Sequence, residues 1–170
     1  MFKAAILTIS DKGWRGERVD ASGRLIAEII SGLPAQVVKY EVVPDEAGMI
    51  SAKLREWADS GHIDLVLTTG GTGLGPRDVT PEATLAVTSR LVPGLAEAMR
   101  AESLKLTPHS MLSRAVAGIR KRCLIVNLPG SPKAVRENLA VIMPALPHAL
   151  EVLRGEVEEC APQERPSHAH

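Results

Sequence analysis

Leu65-Val66-Leu67-Thr68-Thr69-Gly70-Gly71-Thr72-Gly73-Leu74-Gly75-Pro76-Arg77-Asp78-Val79-Thr80-Pro81-Glu82 is the stretch on which the reading of this chain turns. Its opening apolar run is too short for a helix and carries β-branched Val66, the pattern of a buried parallel strand. The run empties into Gly70, Gly71 and Gly73. A helix is expected near Thr80, with Thr80 as N-cap and Pro81 at the first helical position, where a missing N–H costs nothing. A strand, a glycine loop and a helix start together present bare backbone N–H groups to an anion, usually a phosphate.

Two familiar phosphate motifs fail here. A dinucleotide fingerprint begun at Gly71 meets Pro76 where its third glycine belongs. A P-loop over residues 70–75 continues into Pro76-Arg77, without the phosphate lysine or the magnesium hydroxyl. The bland alternative is a glycine turn that only closes the strand.

The chain has 170 residues, the length of one domain with a proper core. Its formal net charge is zero, which argues against a general nucleic-acid binder. Aromatic residues make up 2%, too few for a base-stacking platform, so the core must be aliphatic. Cys123 and Cys160 have no metal-ligand spacing. Cys123 lies in an apolar run and reads as a small buried hydrophobe. His62, His109, His148, His168 and His170 form no zinc pattern, and no run approaches membrane-spanning length. A cytoplasmic protein with no membrane and no nucleic-acid partner is expected.

Strands are expected over 4–10, 36–43, 65–69 and 124–128, with a short one near 115–119. Helical spacing appears over 22–30, 49–57, from Thr80, over 95–106 and after Ser131-Pro132. Residues 10–20 read as a long polar loop and 107–114 as another. The domain is expected over 1–155, with a loose tail over 156–170. Strands alternating with helices imply an α/β, three-layer sandwich with a mostly parallel sheet, connected right-handed. Ligands bind such sheets at the carboxyl ends of the strands. That rule gathers Ser10-Asp11, Asp45, the loop from Thr69 to Gly73, and Pro129-Gly130-Ser131 along one rim. No serine, histidine and aspartate suggest a hydrolytic triad.

At Thr69-Gly70-Gly71-Thr72-Gly73 and Arg77-Asp78-Val79-Thr80-Pro81-Glu82 the chain resembles the molybdopterin adenylyltransferase family, whose relatives include gephyrin and plant G domains. Further blocks match in order: Ser10-Asp11, Asp20-Ala21-Ser22-Gly23, Val43-Pro44-Asp45-Glu46, Met111-Leu112-Ser113-Arg114-Ala115 and Asn127-Leu128-Pro129-Gly130-Ser131-Pro132-Lys133. They span residues 3 to 154. The resemblance implies transfer of AMP from ATP to the terminal phosphate of molybdopterin, with pyrophosphate released and Mg2+ required. It also implies a homotrimer and a downstream molybdate-inserting partner.

Carried over by motif, Asp45 and Asp78 are the catalytic carboxylates, with Ser113 assisting. Ser10, Asp11, Thr69, Gly70, Gly71, Thr72, Gly73, Arg77, Pro129, Gly130, Ser131 and Lys133 bind substrate, and the metal ligands are unassigned. Each has a plainer role: Asp45 as a helix cap, Asp78 in an Asx turn, Ser113 as a loop serine, Arg77 and Lys133 as solvated cations. Two other readings compete. A pterin-binding module without efficient adenylation has less need of two carboxylates beside an anionic ligand. A nicotinamide or flavin domain is weakened by Pro76. The Asp78-Val79-Thr80-Pro81 spelling leans toward the adenylating branch of the family.

Overall fold

The computed structural model describes residues 1–157. Of the expected tail, residues 158–170 lie outside the described residues, and with them Cys160, His168 and His170. Six strands form one sheet: β1 (Phe2–Ile9), β2 (Ala35–Val43), β3 (Leu65–Thr69), β4 (Arg90–Leu91), β5 (Ala117–Arg120) and β6 (Cys123–Leu128). Their order is β2-β1-β3-β6-β5-β4. The first four in that order pair in parallel, and β5 and β4 continue antiparallel.

Every residue of β3 and β6 is buried, so both strands read as continuous apolar runs rather than as alternating ones. Each face has its own helices. Against Ala4, Ile6, Leu65, Leu67, Leu124 and Val126 pack α2 (Ala21–Ile30), α5 (Pro93–Leu104), α6 (Pro132–Ile142) and α7 (Leu146–Arg154). On the other face Ala5, Leu7, Val66 and Ile125 meet α3 (Ala47–Asp59) and α4 (Thr80–Leu85). The three layers are those expected.

The register positions the site. Thr8 stands opposite Thr69, Thr69 opposite Leu128, and Ile9 opposite Val43. Four strands therefore end nearly together, and the residues that follow share one rim.

Three short elements escaped the sequence pattern. The four residues of α1 (Asp11–Trp14) lie inside the expected polar loop, a 3-10 turn spans Pro108–Leu112, and β4 has two exposed residues. None is long enough to show a period.

Beneath the glycine loop the second face carries a polar knot. The Asn127 side-chain amide donates to Thr68 Oγ1 (3.0 Å) and Thr84 Oγ1 (2.9 Å), and its oxygen accepts from the Val116 N–H (3.2 Å). Thr84 Oγ1 donates in turn to the Thr80 carbonyl (2.8 Å). Thr68, Thr80, Thr84 and Asn127 are all fully buried. Removing one member strands the rest away from water. Asn127→Ala is expected to cost about 2–3 kcal/mol, read as a lower urea midpoint at fixed protein concentration. A loss below about 0.5 kcal/mol would mean that the knot is not holding β6 to α4.

Candidate functional site

The loop after β3 is stitched down on three sides. Gly70 and Gly71 are left-handed, with φ of 97° and 69°. A Cβ on Gly70 would strike the Ile9 carbonyl oxygen, and one on Gly71 would strike Thr80 Oγ1. Only glycine meets both demands. The Gly70 N–H donates to the Leu128 carbonyl (3.3 Å), and Thr69 Oγ1 donates to that of Pro129 (2.6 Å). Thr80 is not the N-cap expected of it. Val79 holds that position without a side-chain bond, while buried Thr80 donates its hydroxyl to the Gly70 carbonyl (2.9 Å) and its N–H to that of Gly71 (3.1 Å). Thr80 thus tethers the loop instead of capping the helix.

Both key aspartates depart from their plainer roles. Glu46, not Asp45, stands at the N-cap of α3. Asp45 accepts the Asp11 N–H (2.9 Å), and Asp11 accepts the Asp45 N–H (3.0 Å), a reciprocal clasp between the ends of β1 and β2. Asp78 does not form a turn toward Thr80. Its carboxylate reaches back to the Gly75 N–H (2.9 Å), and a Cβ on Gly73 or Gly75 would stand 2.9 Å from the same oxygen.

Arg114, to which the motifs assign no role, clamps this loop. Its N–H donates to Thr72 (2.9 Å), its guanidinium donates to the carbonyls of Gly73 (2.8 Å) and Asp78 (2.6 Å), and it pairs with Glu82. It lies in the Met111–Ala115 block, the one signal that pointed to it.

Two clefts flank the glycine loop. The larger, about 520 Å3, is lined by Ser10, Asp45, Thr69, Gly70, Gly71, Asp78, Gly130 and Ser131. The smaller, about 270 Å3, takes Thr72, Gly73, Ser113 and Pro129. Ser113 is therefore parted from the two carboxylates by the loop itself. Ser10 and Ser131 each cap a helix, accepting from Gly13 N (3.0 Å) and Ala134 N (3.2 Å). Among the described residues, no group within the chain takes up the N–H of Gly71, Thr72, Gly73, Gly130 or Ser131.

Arg77 and Lys133 line neither cleft. Arg77 faces outward and grips Asp11 (2.6 Å) and Glu46 (3.0 Å), and Lys133 is exposed, 4.0 Å from Glu137. The larger cleft also holds a network that sequence reasoning missed. Asp20 caps α2 at Gly23 N (2.9 Å) and accepts the hydroxyls of Thr8 (2.6 Å) and Tyr40, while Ser22 donates to the Gly130 carbonyl (2.6 Å). The Asp20–Gly23 block hinted at it, but Tyr40 arrives from β2 and is invisible locally.

The clasped aspartates are electrostatically unequal. The Arg77 guanidinium and the Asp45 N–H hold Asp11 well below its ordinary 3.8, at about 2. Burial pushes Asp45 upward, with the Asp11 and Asp78 charges adding to the push. Asp11 therefore favours folding above the usual carboxylate range, and that contribution fades as pH falls toward 2. Asp45 carries its charge at a cost above its raised pKa, relieved as pH falls through it. In a carboxyl NMR titration Asp45 is expected to protonate before Asp11, and Arg77→Ala to return Asp11 toward 3.8. The reverse order would break this account of the clasp.

With this geometry in hand, the chain compares closely with known proteins. The family model described as a probable molybdopterin binding domain matches residues 5–148. The molybdopterin adenylyltransferase of Helicobacter pylori strain J99 is 43% identical over 152 residues, which cover 88% of this chain and 86% of that protein. Gephyrin of Dictyostelium discoideum is 43% identical over 168 residues, 93% of this chain but 23% of the longer protein. The crystal structure of the molybdopterin biosynthesis enzyme MoaB from Thermus thermophilus superposes with a TM-score of 0.87 at 57% identity, covering 91% of this chain and 98% of that one. With matches that reach from β1 to α7, the chain belongs to the molybdopterin-binding domain family.

Proposed function

We propose that this chain is a molybdopterin adenylyltransferase of molybdenum cofactor biosynthesis, transferring AMP from ATP to the terminal phosphate of molybdopterin and releasing pyrophosphate. The likeness to the named adenylyltransferase over most of both chains supports the reaction. One structural observation carries it: the N–H groups of Gly71, Gly130 and Ser131, which have no acceptor among the described residues, belong to the cleft that holds Asp45 and Asp78.

A phosphate oxygen attacks the α-phosphorus of ATP as the bond to pyrophosphate breaks, and both partners are anionic. Catalysis is then mostly positioning and neutralisation. The N–H groups of the glycine loop supply partial positive charge without a counter-ion. Those of Gly130 and Ser131, at the start of the eleven-residue α6, supply a second set. With a cleft on each side of the loop, the nucleotide and pterin ends are held apart. Ser113 serves the smaller cleft and Ser10 the larger. Asp11 and Arg77 act from behind, fixing Asp45.

The donor set suits Mg2+. Among the described residues no cluster of three or more metal-ligating side chains exists, and magnesium is commonly held by one or two carboxylates plus substrate phosphates. Asp45 and Asp78 would hold it, and when bound it neutralises charge on the phosphates. A homotrimer, a cytoplasmic setting and a downstream molybdate-inserting partner belong to the same reading. Exposed Leu104, Leu106, Met111 and Leu112 provide apolar surface for self-assembly.

The decisive experiment incubates the purified protein with metal-free molybdopterin, ATP and Mg2+ and follows adenylyl-molybdopterin by chromatography. Asp78→Asn keeps an acceptor for Gly75 and Asp45→Asn keeps one for Asp11, so both are expected to fold and to lose at least about a hundredfold in rate. Pterin binding without product would sink the reaction and leave a binding module. Light scattering is expected to give about three times the 18.2 kDa of one chain; a monomer would remove the trimer from the reading.

A further inference from the structure

The opposite edge of the sheet, where β1, β3 and β6 begin, carries a groove of its own. A cavity of about 560 Å3 there is walled by Lys3 from β1, Asp64 ahead of β3, Lys121 and Arg122 between β5 and β6, and Arg154 from α7. A second, of about 400 Å3, shares Lys3, His62 and Ile63 with it and adds Lys39 and Trp57.

The charges along this groove do not cancel. Asp64 is taken up by Arg154 (2.9 and 2.7 Å) and by the Lys3 N–H (2.7 Å). Glu156 lies 3.4 Å from the same arginine, and Glu56 lies 2.9 Å from Lys53. Among the described residues Lys3, Lys39 and Arg122 have no carboxylate within 4.0 Å. In a chain of zero formal net charge this is a local surplus of cations.

Two further features set this edge apart. Trp57 is 2% exposed, yet its indole N–H has no acceptor among the described residues. A buried donor left unmade is uncommon and calls for an explanation. Lys121 is the one non-glycine residue among those described with a left-handed backbone, φ 54°. It sits in a two-residue hairpin turn where asparagine or glycine is the usual solution. Lys121 and Arg122 both stand in the wall of the larger cavity, Lys121 with its amine 3.3 Å from Asp59 and Arg122 with no carboxylate partner among the described residues.

We propose that this groove binds a phosphate-bearing anion, independently of the clefts at the other edge and of the reaction assigned to them. Lys3, Lys39 and Arg122 pair with its oxygens, and Trp57, in the wall shared with Lys3 and Lys39, reports on the bound anion.

The chain has two tryptophans, and they report on the two edges separately. Trp14 lies beside Asp11 and Arg77, and Trp57 lines the groove. Their indole N–H resonances, assigned in the full chain with Trp14→Phe, are followed by proton NMR during titration with inorganic tripolyphosphate and then, separately, with ATP, both without magnesium. Tripolyphosphate is expected to move the Trp57 resonance saturably. The double variant Lys3→Gln, Arg122→Gln is expected to weaken that binding by about tenfold or more while Trp14 keeps its native shift. Equal affinities for the two anions at Trp57 identify an inorganic oligophosphate; a tighter ATP response identifies a nucleotide. A Trp57 resonance that stays fixed at millimolar anion overturns the proposal. So does an undiminished response in the double variant, or a response confined to Trp14.

Discussion

The close approach of Gly70 to the Ile9 carbonyl is the constraint from which the rest of the rim follows. Parallel pairing of β1 with β3 and of β3 with β6 sets Thr8, Thr69 and Leu128 in one row. The chain leaving β3 must then turn between two neighbours that end at the same height. A side chain at Gly70 has nowhere to go. With glycine there the backbone bends sharply, and its carbonyl becomes the acceptor that anchors Thr80. Through Thr80, Thr84 and Asn127 that anchor runs back into the second core face. Loop position and core packing are therefore one problem with a common solution.

Charge is distributed around the rim by a division of labour. Two arginines beside the rim are engaged elsewhere: Arg77 holds Asp11 and Glu46 from outside, and the Arg114 guanidinium holds two loop carbonyls and Glu82. The loop itself presents backbone N–H groups to the larger cleft beside Asp45 and Asp78, with Arg18 further along the same lining. N–H dipoles favour anions without attracting a competing carboxylate into an ion pair, which leaves Asp45 and Asp78 available. Burial of Asp45 raises its pKa, and its neighbour Asp11, tied to Arg77, shows the opposite shift although the two are bonded to each other.

Much of the fold was legible because its strongest signals are local. Buried β1, β3 and β6 announce themselves as apolar runs, and the helix after Ser131-Pro132 begins as its cap predicts. The rim was legible too, since strand ends are local and a parallel sheet collects them. What was not legible depends on partners distant in sequence. Thr80 reads as a cap from its neighbours alone, but it lies inside the helix, with its hydroxyl turned to donate to a carbonyl ten residues earlier. Asp45 reads as a cap for the same reason and is claimed by Asp11, 34 residues away. Arg77 reads as a phosphate ligand until Asp11 and Glu46 are brought to it. Tyr40 on Asp20 crosses from one strand end to another loop and leaves no trace in spacing.

The two borders of the sheet differ in a way that governs how copies of this protein can meet. A border strand offers unpaired peptide groups to any passing chain, and proteins guard such borders with brevity, charge or irregular backbone. One border, β4, is two residues long. The other, β2, is nine residues long, but it carries Lys39 and Glu41, Glu41 holds Lys53 at 3.1 Å, and its pairing with β1 slips between Ala4 and Ala5. Neither border is a ready template for a further strand. Association by continuous sheet growth, the route toward fibrils, is disfavoured at both borders, which favours contacts made through side chains on helices and loops.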